Sequence, residues 1–128
     1  MTMVLSSSIL VVDYEQELAT LFKEAIGRMG FDVYSFTSPL LALEYFKDNQ
    51  EKFSLVITDL RMPELSGLEL ANRIRDVDKS INIFLITAFD TADIEENESY
   101  QSAKIDRILQ KPIKLSLLKE SIEETISN

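Results

Sequence analysis

The sequence contains no histidine and no cysteine. Without cysteine there is no disulfide framework and no thiolate metal site, and a reducing cytoplasm is the default setting. Without histidine there is no imidazole-based triad, no histidine-ligated zinc and no phosphohistidine step within the chain. Glycine is nearly as scarce. Gly27, Gly30 and Gly67 are the only three, and none forms a phosphate-cradling loop after an apolar run, which disfavours a nucleotide-binding fold. Positive charge is also short: 13 basic against 22 acidic residues leave a net charge of −9. That balance argues against direct binding of nucleic acid or an anionic membrane and suits partners with basic patches. No apolar run approaches the roughly 20 residues of a membrane span. Met1 to Ser8 lacks the basic start of a secretory signal.

What is present is a globular composition, 45% apolar and 27% charged over 128 residues. This is enough for one domain, residues 1–128 with a core of about 8–127, and no output domain is expected beside it. Ile9-Leu-Val-Val12 is a continuous apolar run that predicts a buried strand ending at Asp13. From Glu15 the period becomes helical, with Leu18, Leu21, Phe22, Ala25, Ile26 and Met29 on one face and Gly30 as the stop. Phe31 to Phe36 alternates like an edge strand. Ser38-Pro39 reads as an N-cap with proline at the first helical position, opening a helix to about Asp48 with Leu40, Leu41, Leu43 and Phe46 as its apolar side.

Leu55 to Thr58 is a third strand, delivering Asp59 to its end, and a helix over Gly67 to Arg75 follows. Ile81 to Ile86 is a fourth strand ending at Thr87. Thr91 to Ala103 is a poor helix whose only large apolar residues are Ile94 and Tyr100. Ile105 to Gln110 is a short fifth strand before Lys111-Pro112, and the last helix carries Leu115, Leu118, Ile122 and Ile126. Five alternations of apolar strand and helix predict an α/β, doubly wound (βα)5 flavodoxin-like domain: a parallel sheet of order 2-1-3-4-5 with helices on both faces.

Ligands of such sheets bind outside the carboxyl ends of the strands, near the switch point between the first and third. That edge receives Asp13, Asp59, Thr87 and Lys111. One acid can serve as a nucleophile and a second can help hold Mg²⁺, while a hydroxyl and an ammonium bind the oxygens of a transferred phosphoryl group. Taken singly, these residues have plainer uses. Asp59 and Asp13 are good helix caps, Lys111 and Arg61 ordinary surface cations, Thr87 an ordinary strand residue. Gly67 suits backbone geometry at a helix start, and the acids at 90–98 make a solvated face. Phe22 and Phe84 belong to the core, and Phe89 is expected to flank the site.

The four strand ends together resemble the response-regulator receiver domain, single-domain and chemotaxis-regulator-like, over essentially the whole chain. Ile9-Leu-Val-Val-Asp13 is similar to the family's first strand, Thr58-Asp-Leu-Arg-Met-Pro-Glu-Leu-Ser-Gly67 to the segment around its phosphorylated aspartate, Phe84-Leu-Ile-Thr-Ala88 to its switch strand and Lys111-Pro112 to its Lys-Pro. The resemblance implies that Asp59 accepts a phosphoryl group from a partner histidine kinase or phosphotransfer protein. It implies that Asp13, Asp59 and the Arg61 backbone carbonyl hold Mg²⁺, and that Thr87 and the Ala88 amide bind phosphoryl oxygens. Lys111 would pair with Asp59, and the peptide before Pro112 would be cis. Signalling would then pass to a downstream protein through protein–protein contacts rather than by enzymatic turnover.

Two positions depart from the family. Tyr14 stands where a second metal-ligating acid is usual; a neutral phenol is a poor Mg²⁺ ligand, so metal binding is expected to be weak. Glu15 follows and is an alternative acid that could reach in instead, but its side chain is expected to take another direction, and the family does not usually use it as a ligand. Ile108 stands where an aromatic switch residue is usual, which leaves Thr87 and its following loop to carry a conformational signal. These departures also suit an adaptor that works without phosphorylation. A third reading, an aspartyl-nucleophile phosphohydrolase built on Asp13-Tyr-Glu15, lacks a cap domain and a further acid pair.

Overall fold

The computed structural model describes residues 8–88 and 91–126. Five strands form one parallel sheet: β1 (Ser8–Val12), β2 (Asp32–Phe36), β3 (Phe53–Asp59), β4 (Asn82–Thr87) and β5 (Arg107–Gln110). Their order is β2-β1-β3-β4-β5, as expected. The helices are α1 (Gln16–Arg28), α2 (Pro39–Asn49), α3 (Gly67–Val77), α4 (Thr91–Glu95), α5 (Glu98–Ala103) and α6 (Leu115–Ile126), with a short 3-10 turn at Gln50–Lys52.

The central strands β1, β3 and β4 carry near-continuous apolar runs because both faces of the sheet are covered there, whereas the edge strands β2 and β5 mix in polar residues. Successive side chains point to opposite sides. Leu10, Val12, Val56, Ile83 and Leu85 therefore meet Leu43, Phe46, Leu70, Ile74, Ile94 and Ala103 on one face. Ile9, Val11, Leu55, Ile57, Phe84 and Ile86 meet Phe22, Ile26, Leu118 and Ile122 on the other. Gly30 ends the first helical segment with φ 101°, a conformation that costs glycine little.

Several helix faces differ from expectation. On α2 the buried residues are Pro39, Ala42, Leu43 and Phe46, spaced three and four apart, whereas Leu40 and Leu41 are 43% and 58% exposed. The sheet accepts one stripe of a helix, and small or ring-closed residues at the right angle displace larger ones at the wrong angle. Leu21 and Leu115 are exposed for the same reason. The weak helix over Thr91 to Ala103 is two pieces. Asn97 is extended, its N–H closes on Ile94 O at 3.0 Å, and its side chain caps the Ser99 amide at 2.7 Å. A local cap of this kind competes with helix continuation. Phe89 and Asp90, expected beside the site and in the acidic stretch, lie outside the described residues.

Candidate functional site

Register brings the four strand ends together. Val12 pairs with Thr58, so Asp13 stands beside Asp59; Asp59 pairs with Ile86, so Thr87 follows one step on; Thr87 pairs with Gln110, so Lys111 comes next. The Lys111 N–H donates to Thr87 O at 2.7 Å, and the Lys111-Pro112 peptide is cis, as the resemblance implied. Lys111 Nζ lies 3.4 Å from Asp59 Oδ1, 3.8 Å from Asp13 Oδ2 and 3.5 Å from Glu15 Oε1. Thr87 is buried, Ala88 and Arg61 are exposed, and Ile108 is half-buried against the core face that holds Ile94 and Ala103.

The two aspartates are strained electrostatically. Burial pushes Asp13 up to about 6; the Glu15 N–H opposes the shift, Asp59 adds to it, and Lys111 opposes it again. Asp59 is also raised, by burial first, against the lowering effects of Lys111 and the Leu60 N–H, which donates to its Oδ1 at 2.9 Å. Lys111 is itself raised: burial disfavours its charge, but Asp13 and Asp59 outweigh burial. Ammonium and carboxylates hold each other ionised in a site that would otherwise neutralise them.

The loop after β3 is built to carry Asp59. Gly67 opens α3 so close to β3 that a Cβ would sit 2.1 Å from Asp59 O. Its N–H donates to Leu60 O at 2.7 Å. Ser66 and Glu69 form a capping box, Ser66 Oγ accepting the Glu69 N–H at 3.1 Å and Glu69 Oε1 the Ser66 N–H at 2.9 Å. Between Pro63 and Leu65 the chain turns through Glu64 at φ 74°, with Leu65 N–H on Pro63 O at 2.8 Å. Tyr14 is 57% exposed and borders a pocket of about 710 Å³ with Leu60, Arg61, Met62, Leu68 and Ile94.

Asp13 serves the turn rather than capping α1. Its Oδ1 accepts the Glu15 N–H at 2.9 Å, and the N-cap of α1 is Glu15, whose side chain makes no capping bond. Two contributions, the capping box and Arg75, went unseen in the sequence, and the inward reach of Glu15 stands there only as the less favoured direction. Glu15 reaches Lys111, contrary to its expected direction. Ser66-x-x-Glu69 is a capping box that its spacing does announce. Arg75 is buried, donating to Ala103 O at 2.8 Å and Lys104 O at 3.0 Å and pairing with Asp106 at 3.6 Å.

For a hard cation the donor chemistry fits. Asp13 Oδ2 is buried without a hydrogen-bond partner, Asp59 stands beside it, and the carbonyls of the following loop are near in sequence. No cluster of three acids among the described residues forms a ready-made cage. Mg²⁺ suits such a set because it keeps several of its own waters.

Residues 9–123 match the response regulator receiver domain family. The chain is 30% identical to the response regulator receiver protein CpdR of Brucella abortus, over 92% of this chain and 95% of that protein. It is 32% identical to a segment of the sensor protein EvgS of Escherichia coli, covering 91% of this chain but only 9% of EvgS. Among solved structures, response regulator TrrA of Thermotoga maritima, in complex with Mg²⁺-BeF, superposes with a TM-score of 0.82 at 31% identity, over 94% of this chain and 99% of that one. Chemotaxis protein CheY4 of Vibrio cholerae, at 18% identity and TM-score 0.85 over 94% and 98%, shares the fold. With the strand order, the Asp59–Lys111 pair and the cis Lys-Pro already in place, the chain belongs to the response regulator receiver domain family of two-component signalling.

Proposed function

We propose that the chain accepts a phosphoryl group on Asp59 from a partner histidine kinase or phosphotransfer protein and passes the signal on through protein–protein contacts. The observation that carries this reading is the convergence of Asp13 and Asp59 on one ammonium, Lys111 Nζ, beside the buried Thr87. Lys111 and the Leu60 N–H both engage Asp59 Oδ1. Oδ2 is then the oxygen that attacks phosphorus, forming an O–P bond as the donor's N–P bond breaks and the donor imidazole keeps the electron pair. Lys111, the Thr87 hydroxyl and the Ala88 amide receive the phosphoryl oxygens. Asp13, Asp59 and the Arg61 carbonyl are the ligands for Mg²⁺, which supplies further positive charge to the same oxygens when bound.

A second reading has one observation in its favour. Tyr14 contributes no acid and borders the pocket, which makes phosphorylation slow and strongly metal-dependent on the first reading and suits, on the second, an adaptor that works without it. Labelling by a small acyl-phosphate donor, with and without Mg²⁺, separates the two. The acceptor reading expects Mg²⁺-dependent labelling that Asp59→Asn abolishes and Tyr14→Asp accelerates. Absence of label on the wild type under all conditions favours the adaptor.

A further inference from the structure

The turn after β1 brings a third carboxylate to the acceptor rim, and it comes from Glu15 rather than Tyr14. Asp13 Oδ1 accepts the Glu15 N–H at 2.9 Å, closing a tight turn of side chain i on amide i+2. Residue 14 lies within that turn, and the exposed Tyr14 lines the pocket that Leu60, Arg61 and Met62 also border. Residue 15 comes back: Glu15 Oε1 is 3.5 Å from Lys111 Nζ, the same nitrogen that Asp59 Oδ1 and Asp13 Oδ2 face at 3.4 and 3.8 Å. Three carboxylates therefore surround one cation position. A second observation points there independently. Asp13 Oδ2 is fully buried, makes no hydrogen bond, and has the Lys111 ammonium across 3.8 Å. A buried carboxylate oxygen with one long ion-pair contact is poorly compensated.

We propose that Glu15 substitutes for the acid absent at Tyr14. With Asp13 and Asp59 it completes the negative surround of a divalent-cation site, and Lys111 is the resident counter-ion when no metal is bound. Glu15 acts at one remove, accepting a hydrogen bond from a water on the cation. This agrees with the absence of a three-acid cage among the described residues and with the preference of Mg²⁺ for keeping its waters. The assignment rests on the acceptor reading of this site, and makes Glu15 a positioning residue rather than a catalytic one.

The test is calorimetric titration of MgCl₂ into the full chain as wild type, Glu15→Gln, Tyr14→Asp, the double variant and Glu17→Gln. Glu17 lies in the first turn of α1 and is exposed, so Glu17→Gln removes the same charge nearby. Because the Glu15 side chain makes no capping bond, Glu15→Gln leaves the helix start intact, and thermal melts verify this. Glu15→Gln is expected to weaken Mg²⁺ binding about tenfold, as loss of an outer partner does. Glu17→Gln should barely alter it. In the Tyr14→Asp background the effect of Glu15→Gln should largely vanish, because the acid it replaces is back. Equal losses in Glu15→Gln and Glu17→Gln, or the same loss from Glu15→Gln in both backgrounds, overturn the proposal, as does a wild type that binds no Mg²⁺. Phosphoryl labelling run in parallel keeps the two ideas apart. Labelled Asp59 with Mg²⁺ affinity indifferent to Glu15 defeats this inference alone; Glu15-dependent Mg²⁺ binding without any label defeats the acceptor reading alone.

Discussion

Asp13 and Lys111 face each other across 3.8 Å, yet the pair leaves Asp13 with its pKa raised to about 6. Burial outweighs the ammonium. The unfolded aspartate releases its proton near 3.8 and the folded one near 6, so between these values the folded state holds more proton than the unfolded. Stability from this group is therefore greatest below pH 4, falls as pH rises through the window to 6, and stays low above it. Asp13→Asn removes the buried charge. It is expected to be more stable than wild type at pH 7 by about 2 kcal/mol, with the advantage shrinking towards pH 4. Urea denaturation of both proteins across that range measures the difference; a constant difference would show that Asp13 is not the titrating group.

Gly67 and Asp59 are packed backbone to backbone. A methyl at residue 67 would meet Asp59 O at 2.1 Å and Leu85 Cδ1 at 2.9 Å. The leucine end can give way, but the β3 carbonyl cannot without moving the acceptor strand. Gly67→Ala should therefore cost about 3 kcal/mol in urea denaturation and also lower Asp59 labelling in the fraction that remains folded. A stable, normally labelled Gly67→Ala would mean that α3 shifts freely, against the observed packing.

Glu64 carries the opposite kind of cost. At φ 74° it occupies left-handed backbone that a side chain resists, and its visible side-chain contact is a 3.5 Å hydrogen bond from Ser38 Oγ. Glu64→Gly is expected to raise stability by about 1 kcal/mol, the local relief exceeding both that contact and the added freedom of the unfolded chain. Thermal denaturation checks the sign.

Arg75 ties α3 to the α5 end and to the approach to β5. Its guanidinium donates to Ala103 O and Lys104 O, groups that α5 leaves without helical partners, and it pairs with Asp106. Burial lowers its pKa, with Asp106 and Asp78 working against that shift. Arg75→Met keeps much of the packing and removes the donors, leaving the Ala103 and Lys104 carbonyls without them, while Asp106 keeps the Ile83 N–H at 2.7 Å. A loss of about 3 kcal/mol is expected, with faster amide exchange over residues 98–107. Unchanged exchange there would confine Arg75 to a packing role.

The strand ends were legible because each combined a strong local pattern with chemistry at a fixed place. A β-branched run predicts its own strand, and alternation of strands and helices predicts the order that sets Asp13, Asp59, Thr87 and Lys111 on one rim. Side-chain direction was less legible. Pro39 and Ala42, not Leu40 and Leu41, face the core, because angle around the helix decides burial and size does not. Glu15 turns to Lys111 through a local turn in which Asp13 bonds its amide, and only the fold brings Lys111, 96 residues on, to meet it. Arg75 looked like the last residue of a helix, and only the fold brings carbonyls 28 and 29 residues away to it.

Ile108 gives the last prediction. It pairs with Leu85 across β4 and β5 and is half-buried against the face holding Ile94 and Ala103, a packed aliphatic side chain with no ring to swing. Thr87 is joined to the next strand by the Lys111 N–H at 2.7 Å. A group bound at Asp59 that draws the Thr87 hydroxyl towards it must therefore move backbone on β4 and β5 rather than trade places with a side chain. Addition of Mg²⁺ and beryllofluoride is expected to shift amide resonances between Thr87 and Ile113 while leaving the Ile108 methyl resonances nearly in place. Ile108 methyls that move as far as the Thr87 amide would show that the aliphatic side chain does switch. An unmoved Thr87–Ile113 segment with the ligand bound would show that acceptance at Asp59 is not read out through these strands.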